Sequence, residues 1–237
     1  MAKKNIDRSI DVGALGFQVR ESYKTARTNI AYSIVKKGCK KIAFTSADKG
    51  EGKTVTAINV ATALAQQVDT RVLIVECDLR RPHVHSALKI VPSPGITNYL
   101  NNECEINDII RDTKLSNMKA ICYGAIPPNP SELLASEYMT EFVKQLEANF
   151  DYIIFDNPPV GVVIDPIAVI KNCDGVVIIA RDNMTTYPAL TKTIELLERS
   201  EAKILGVIIN RVKPESSKRY KRSKKDYNYG YGYYGYY

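Results

Sequence analysis

Between Gln18 and Lys36 apolar residues recur at Val19, Tyr23, Ala26, Ile30 and Ile34, the spacing of one helical face, and Gly38 is placed to end that helix. A different rhythm follows. Short apolar runs at 41–46, 71–77, 118–123, 152–156, 175–180 and 204–210 read as strands. Between them lie predicted helices at 53–67, at 131–149 with Ser131 as N-cap after Pro130, at 165–172 and at 187–200. Strands this apolar, alternating with helices, imply an α/β fold: a mostly parallel sheet with helices on both faces. After Val212 the pattern stops. Residues 213–237 contain no aliphatic side chain and cannot build a core, so a flexible tail is expected.

Length and composition narrow the picture. The 237 residues suit one large domain, and the longest apolar runs are strand-sized. The N-terminal "MAKKNIDRSI" has no apolar core of a secretory signal, so a cytoplasmic location is expected. Cys39, Cys77, Cys104, Cys122 and Cys173 show no CxxC spacing, which suits free thiols in a reducing compartment. His83 and His85 form an HxH pair without a nearby third ligand and are expected on a surface turn. The net charge is +7, yet the stretch from Arg211 to Tyr237 alone has eight Lys or Arg against two Asp or Glu. The basic charge therefore sits in the tail and not on the folded body. That argues against nucleic acid and for a membrane surface, an acidic partner or plain solvation.

The candidate chemistry starts at "TSADKGEGKTVTA" (45–57), between a predicted strand and a predicted helix, where a phosphate-binding loop belongs. Gly50 and Gly52 let the backbone turn its N–H groups inward, with Glu51 between them and Val55 in the first helical turn. Lys53 is placed for the β- and γ-phosphates, Thr54 for Mg²⁺, and the helix N-terminus favours negative charge. Ala47 stands where the usual loop has its first glycine, and Lys49 precedes Gly50. This resembles the deviant loops of partitioning and division-site ATPases, in which a second lysine also reaches phosphate. Carboxylates cluster at strand ends, the edge that carries the ligand crevice in parallel sheets. "VLIVECDLRRP" (72–82) supplies Glu76 and Asp78, and "YIIFDNPP" (152–159) supplies Asp156, which reads as a Walker B aspartate beside the metal. Arg80 and Arg81 either grip phosphate or are solvated. Asn210, followed by Arg211, either bonds an adenine or forms a turn.

Taken together, these motifs resemble the bacterial tyrosine kinases of capsule and exopolysaccharide clusters, in the free-standing form of Gram-positive bacteria. "KGEGKT" (49–54) is similar to the family's Walker A, "VLIVECDLRRP" to its Walker A′, and "YIIFDNPPV" (152–160) to its Walker B. "ESYKTARTN" (21–29) resembles the ExxRxxR assembly helix through Glu21, Lys24 and Arg27, and "PPNPSELLAS" (127–136) is another stretch typical of the group. "DYNYGYGYYGYY" (226–237) resembles an autophosphorylation cluster: Tyr227, Tyr229, Tyr231, Tyr233, Tyr234, Tyr236 and Tyr237. Two positions depart from the family: Glu76 replaces the first aspartate of DxD, and Lys24 replaces an arginine.

The resemblance implies a P-loop fold of the deviant type in three parts: an N-terminal segment and assembly helix (1–38), a kinase domain (39–212) and a basic tyrosine-rich tail (213–237). It implies ATP and Mg²⁺ as cofactors, with Lys53, Glu76, Asp78 and Asp156 as the catalytic set and Thr54, Asp78 and Asp156 around the metal. Lys49 to Val55, Asn210 and Arg211 would hold the nucleotide. It further implies tail phosphorylation in trans within an octamer-like homo-oligomeric ring. The expected partners are a separate membrane-anchored modulator, a cognate tyrosine phosphatase and protein tyrosine substrates, at the inner face of the cell membrane. Two alternatives share the loop: a partitioning-type ATPase switch, and a nucleotide-gated scaffold with an aromatic tail.

Overall fold

The computed structural model describes residues 15–212, so the tail, its tyrosines and the first fourteen residues lie outside the described part. Helix α1 (Phe17–Ser33) leads into β1 (Lys40–Ser46), α2 (Lys53–Ala65) and β2 (Val72–Glu76). Short helices α3 (Val84–Leu88), α4 (Ile96–Leu100) and α5 (Ile106–Ile109) precede β3 (Ile110–Asp112) and β4 (Met118–Ile121). Then come α6 (Pro130–Leu134), α7 (Glu137–Glu147), β5 (Tyr152–Asp156), α8 (Asp165–Ile170), β6 (Gly175–Arg181), α9 (Tyr187–Arg199) and β7 (Ile204–Asn210).

The seven strands form one sheet in the order β3-β4-β2-β5-β1-β6-β7, and every pairing is parallel except β3 with β4. Strand alternation divides the core between the two faces. Ile42, Phe44, Val72, Ile74 and Ile154 pack under α1, α2 and α3. Leu73, Val75, Ile153 and Phe155 pack against α4, α7 and α8 on the other side. Burying side chains on both faces is what makes the central strands read as unbroken apolar runs. Ile30 of α1 and Ile34 just past its end are buried in the same core as α2, so α1 is packed onto the domain.

Several predicted elements are redrawn. The helix expected over 131–149 is two helices, broken at Ala135 and Ser136. There the Ser136 hydroxyl turns back to donate to the Leu133 carbonyl, a local bond that competes with helix continuation. Ser131 is not the N-cap: Asn129 holds that position, Pro130 takes the first helical position, and the Ser131 hydroxyl donates to Asp165. Strand β3 is too short to show a period, and α3 to α5 fall in a stretch without a continuous apolar stripe. Of the histidine pair, only His83 is exposed. His85 is half-buried, with its ring 5.1 Å from that of Tyr123. Among the described residues no helix is long and apolar enough to cross a membrane.

Candidate active site

The loop between β1 and α2 is held in shape by its own neighbours. Gly50 and Gly52 adopt φ of +77° and +93°, the left-handed region that favours glycine. Gly52 has a second constraint: a Cβ there would meet Asn210 Nδ2 at 2.6 Å. Glu51, almost fully buried, braces the loop. One carboxylate oxygen accepts the Asp48 N–H at 3.0 Å and the other accepts the Thr185 hydroxyl. From the far side, Arg181 Nη1 donates to the Gly50 carbonyl at 3.2 Å. Lys49 is exposed, and its backbone N–H donates to Asp48 Oδ1 at 2.7 Å.

Lys53 and Thr54 open α2, and the sheet brings two acidic strand ends to them. Thr54 Oγ1 donates to Asp156 Oδ2 at 2.7 Å, and Lys53, itself buried, lowers the pKa of both Asp78 and Asp156 by its charge. Burial dominates for Asp156 and pushes its carboxyl up to about 7, against the pull of the Thr54 hydrogen bond and of Lys53. Its second oxygen, Oδ1, is buried with no hydrogen-bond partner. Asp78 is half-buried. Burial raises its pKa, while the Arg81 N–H, donating to Oδ1 at 3.0 Å, and the Lys53 charge draw it down.

Glu76 takes a different place from the one expected of a catalytic group. Its two oxygens accept the backbone N–H groups of Val84 at 2.5 Å and Tyr123 at 3.3 Å, and His85 Nδ1 lies 3.6 Å away. Those bonds tie the start of α3 and the end of β4 to the end of β2. Of the two arginines after Asp78, Arg80 grips the buried Asp165 with two bonds, Nε at 2.7 Å and Nη2 at 3.2 Å. The Asn210 side chain is turned to the loop. Nδ2 donates to the carbonyls of Glu51 and Gly52 at 3.0 and 3.4 Å and to Thr56 Oγ1 at 2.8 Å.

Two cavities flank this first turn of α2 and share Gly52 and Val55. One, of about 450 Å³, is lined by α1, Asn210 and Arg211; the other, of about 360 Å³, lies between the loop and His83 and Ser86 of the α3 segment. Arg181 and Thr185 belong to none of the sequence motifs, yet both hold the loop. Arg181 had a usable signal, a charged residue ending an apolar strand at the edge where Asp156 ends its own. Glu21 and Lys24 lie on the exposed side of α1 and pair with each other at 2.7 Å, whereas Arg27 Nη1 donates to the Ala63 carbonyl of α2 at 3.1 Å.

Comparison with known proteins agrees with this geometry. Residues 39–207 match the family described as AAA domain. The chain is 35% identical to tyrosine-protein kinase YwqD of Bacillus subtilis over 91% of this chain and 86% of that one. It is 34% identical to tyrosine-protein kinase CpsD of Streptococcus agalactiae over 82% and 84% of the respective chains. Among solved structures, the kinase domain of Escherichia coli tyrosine kinase ETK superposes with a TM-score of 0.79 at 25% identity, covering 95% of this chain and 86% of that one. The chimerical protein CapA2B2 superposes with a TM-score of 0.77 at 32% identity, covering 81% and 84%. A septum site-determining protein MinD from Pyrococcus horikoshii, at 21% identity and a TM-score of 0.64, shares the fold over 76% of each chain. The fold is common to all of these proteins, but identity above 30% to named tyrosine-protein kinases over most of the chain places it in the family of bacterial protein-tyrosine kinases.

Proposed function

We propose that the protein transfers the γ-phosphoryl group of ATP to tyrosine hydroxyls, first those of the 226–237 segment of a neighbouring copy, within a homo-oligomeric ring. The observation that carries this reading is the unpartnered, buried Oδ1 of Asp156 beside the Thr54 hydroxyl. A buried carboxylate oxygen without a donor is costly unless a cation or its bound water completes it, so these residues fit Mg²⁺. Bound Mg²⁺ supplies charge neutralisation on the phosphate oxygens. Thr54 and Asp156, with Asp78 at the rim, would hold it.

The chain's own groups supply the rest. Lys53 and the loop N–H groups position the phosphates. The phenol oxygen forms a bond to γ-phosphorus while the bond to the β,γ-bridging oxygen breaks, releasing ADP. A phenol has a pKa of about 10 and enters protonated, so its proton must leave as the new bond forms. Asp78 is assigned to receive it, and burial, by raising its pKa, makes it a better acceptor than an exposed carboxylate. Glu76 is reassigned from catalysis to positioning, because both its oxygens hold backbone. The cavity between α1 and Asn210 suits the base. With Nδ2 of Asn210 committed to the loop, its carbonyl oxygen and Arg211 remain for base contact.

The N-terminal helix with Glu21, Lys24 and Arg27 is proposed as the ring contact, and residues 213–237 as the substrate tail. A membrane-anchored modulator, a cognate phosphatase and further protein substrates complete the system. Its proposed output is control of capsular or extracellular polysaccharide synthesis and export at the inner face of the membrane. Each phosphotyrosine adds about −1.5 to −2 of charge, so three or four cancel the basic excess of the tail region and loosen the assembly. Incubation with ATP and Mg²⁺, then mass spectrometry of the C-terminal peptide, tests the reading. Phosphotyrosine that disappears in Asp78→Asn supports it, whereas ATP hydrolysis without phosphotyrosine returns the partitioning-type ATPase. Mixing a Lys53→Met chain that keeps its tail with a tailless active chain tests transfer in trans, and an unmodified Lys53→Met tail would sink it.

A further inference from the structure

The phosphate loop turns successive carbonyls toward the ends of β6 and β7, where two side chains hold them. Arg181 Nη1 donates to the Gly50 carbonyl at 3.2 Å, and Asn210 Nδ2 donates to those of Glu51 and Gly52 at 3.0 and 3.4 Å. In a trans peptide the C=O and the next N–H share a plane and point opposite ways, so fixing a carbonyl fixes the N–H that follows it. The N–H groups set in this manner are those of Glu51, Gly52 and Lys53. None of the three has a hydrogen-bond partner among the described residues. Successive N–H groups left open in this way make a concave site for an anion.

The Glu51 side chain adds a second hold. One of its oxygens accepts the Thr185 hydroxyl, and the other accepts the Asp48 N–H at 3.0 Å. A hydroxyl has one proton to give and can accept as well: the Thr185 oxygen also takes the Arg181 N–H at 2.8 Å. In return the Thr185 N–H donates to the Arg181 carbonyl at 3.0 Å. Residues 181–185 therefore form a turn closed on itself at the end of β6, and its first and last side chains both reach the loop.

We infer that Arg181 and Thr185 are positioning residues for the nucleotide: from the turn after β6 they hold the Gly50 carbonyl and the Glu51 carboxylate, and with Asn210 they aim three loop N–H groups at the phosphates. This rests on the proposed binding of nucleotide at the loop. Donors already in place need no ordering when the ligand arrives, so loosening the turn acts on affinity.

The test uses the full chain and Mg²⁺–ADP in titration calorimetry, beside steady-state kinetics with ATP. Thr185→Val, which loses a neutral donor, is expected to weaken ADP binding by about fivefold, and Arg181→Met, which loses a charged one, by about tenfold. KM for ATP should rise by the same factors while kcat stays within about twofold, because the bonds are equally present in ground and transition states. Thr185→Ser keeps the hydroxyl and should bind as the wild type does. Thr185→Val on top of Glu51→Ala should add little, since Thr185 acts through that carboxylate. The Arg181→Met loss should persist from about 0.05 M to about 0.5 M salt, whereas a guanidinium acting on phosphate by its exposed charge alone would be screened. Thr186→Ala serves as the control: it removes the cap that accepts the Ala189 N–H at the start of α9, so it should lower the thermal midpoint and leave ADP affinity unchanged. Wild-type affinity in both Thr185→Val and Arg181→Met would overturn the inference, as would equal affinity losses in Thr185→Val and Thr186→Ala. Should Thr185→Val fail to fold, Arg181→Met decides, and wild-type affinity there overturns the inference. A wild-type chain that binds no Mg²⁺–ADP overturns the nucleotide reading itself, a different result from a wild type that binds and variants that bind alike.

Discussion

Glu76 and Asp156 are register partners at the ends of neighbouring strands β2 and β5, both almost fully buried, and burial pushes each carboxyl up to about 7. Burial and pKa therefore do not separate them. Their partners do. Glu76 is surrounded by backbone donors, from Val84 and Tyr123, while Asp156 has one donor on one oxygen and none on the other. The same electrostatic cost is offset at one strand end by folded backbone and left open at the other. For these two carboxyls the missing donor, and not the raised pKa, is the feature that separates a candidate cation ligand from a brace.

Neutral isosteres should split the pair most widely. Asp156→Asn is expected to lower phosphotransfer by about 100-fold or more, the usual loss when a charge-positioning group is removed from an active site. The same change removes a buried charge, so the thermal midpoint of the nucleotide-free protein should hold or rise. Glu76→Gln should do the reverse. Transfer falls by no more than a few-fold, while a backbone N–H that now faces an amide costs about 1–2 kcal/mol. Equal activity losses in the two variants, measured with labelled ATP, would erase the distinction.

Gly52→Ala probes the loop beside Asp156. The left-handed backbone and a methyl placed 2.6 Å from Asn210 Nδ2 leave no room without moving that side chain. Nucleotide affinity should fall by about tenfold or more, equivalent to about 1.4 kcal/mol, in calorimetric titration. Arg80→Ala tests the same logic with the partner removed instead of the carboxylate. Burial pushes the Asp165 carboxyl up, but the Arg80 guanidinium and the Ser131 hydroxyl outweigh it and hold the pKa below the ordinary carboxylate value. Stripping the guanidinium should cost about 2 kcal/mol, less than for a fully buried pair because the arginine is half-exposed. With its pKa depressed, Asp165 contributes stability above the ordinary carboxylate range that is lost as pH falls through the folded value. The Arg80→Ala deficit in urea unfolding should accordingly shrink in acid.

Glu76 has the opposite sign. Its folded pKa of about 7 lies above the ordinary 4.5, so the folded state holds a proton that the unfolded state has released between those values. Its contribution is full below about pH 4.5 and is lost as pH rises through about 7. Relative to wild type, Glu76→Gln should gain stability between about pH 5 and pH 8. A constant difference across that range would mean that the carboxylate is ionised throughout.

The sheet was readable because its strands are buried on both faces, which leaves an apolar signature that needs no partner to interpret. The loop was readable because Gly50, Gly52, Lys53 and Thr54 are contiguous. The donors to Glu76 were not readable, because Val84 opens an unpredicted short helix and Tyr123 follows β4, 47 positions away in sequence. Ser131 was misassigned for a related reason: its partner Asp165 is 34 positions distant. Arg181 at the end of β6 and Thr185 in the turn after it reach the loop from the neighbouring strand, a proximity that only the strand order β1-β6 creates. What sequence conceals here is which side chain satisfies which backbone group after the chain has folded.

The smallest effect is expected where neither burial nor missing donors operate. Glu21 and Lys24 form an exposed i,i+3 pair, with side chains 44% and 49% exposed. Exposed pairs of this kind contribute about 0–1 kcal/mol, because water competes for both charges and ordering two long side chains costs entropy. Glu21→Gln should thus leave the urea midpoint of the dilute chain almost unchanged. Arg27→Ala should cost about 1 kcal/mol, since it leaves the Ala63 carbonyl of α2 without its guanidinium donor. If α1 is the ring contact, concentration-dependent sizing should nevertheless show assembly weakened in both variants. Glu21→Gln then weakens assembly without weakening the fold, because an exposed carboxylate is available to a neighbouring chain, whereas the oxygens of Glu76 are already occupied. A Glu21→Gln chain that loses more than about 1 kcal/mol of stability, or that assembles as the wild type does, would show that partner satisfaction does not sort these carboxylates by role.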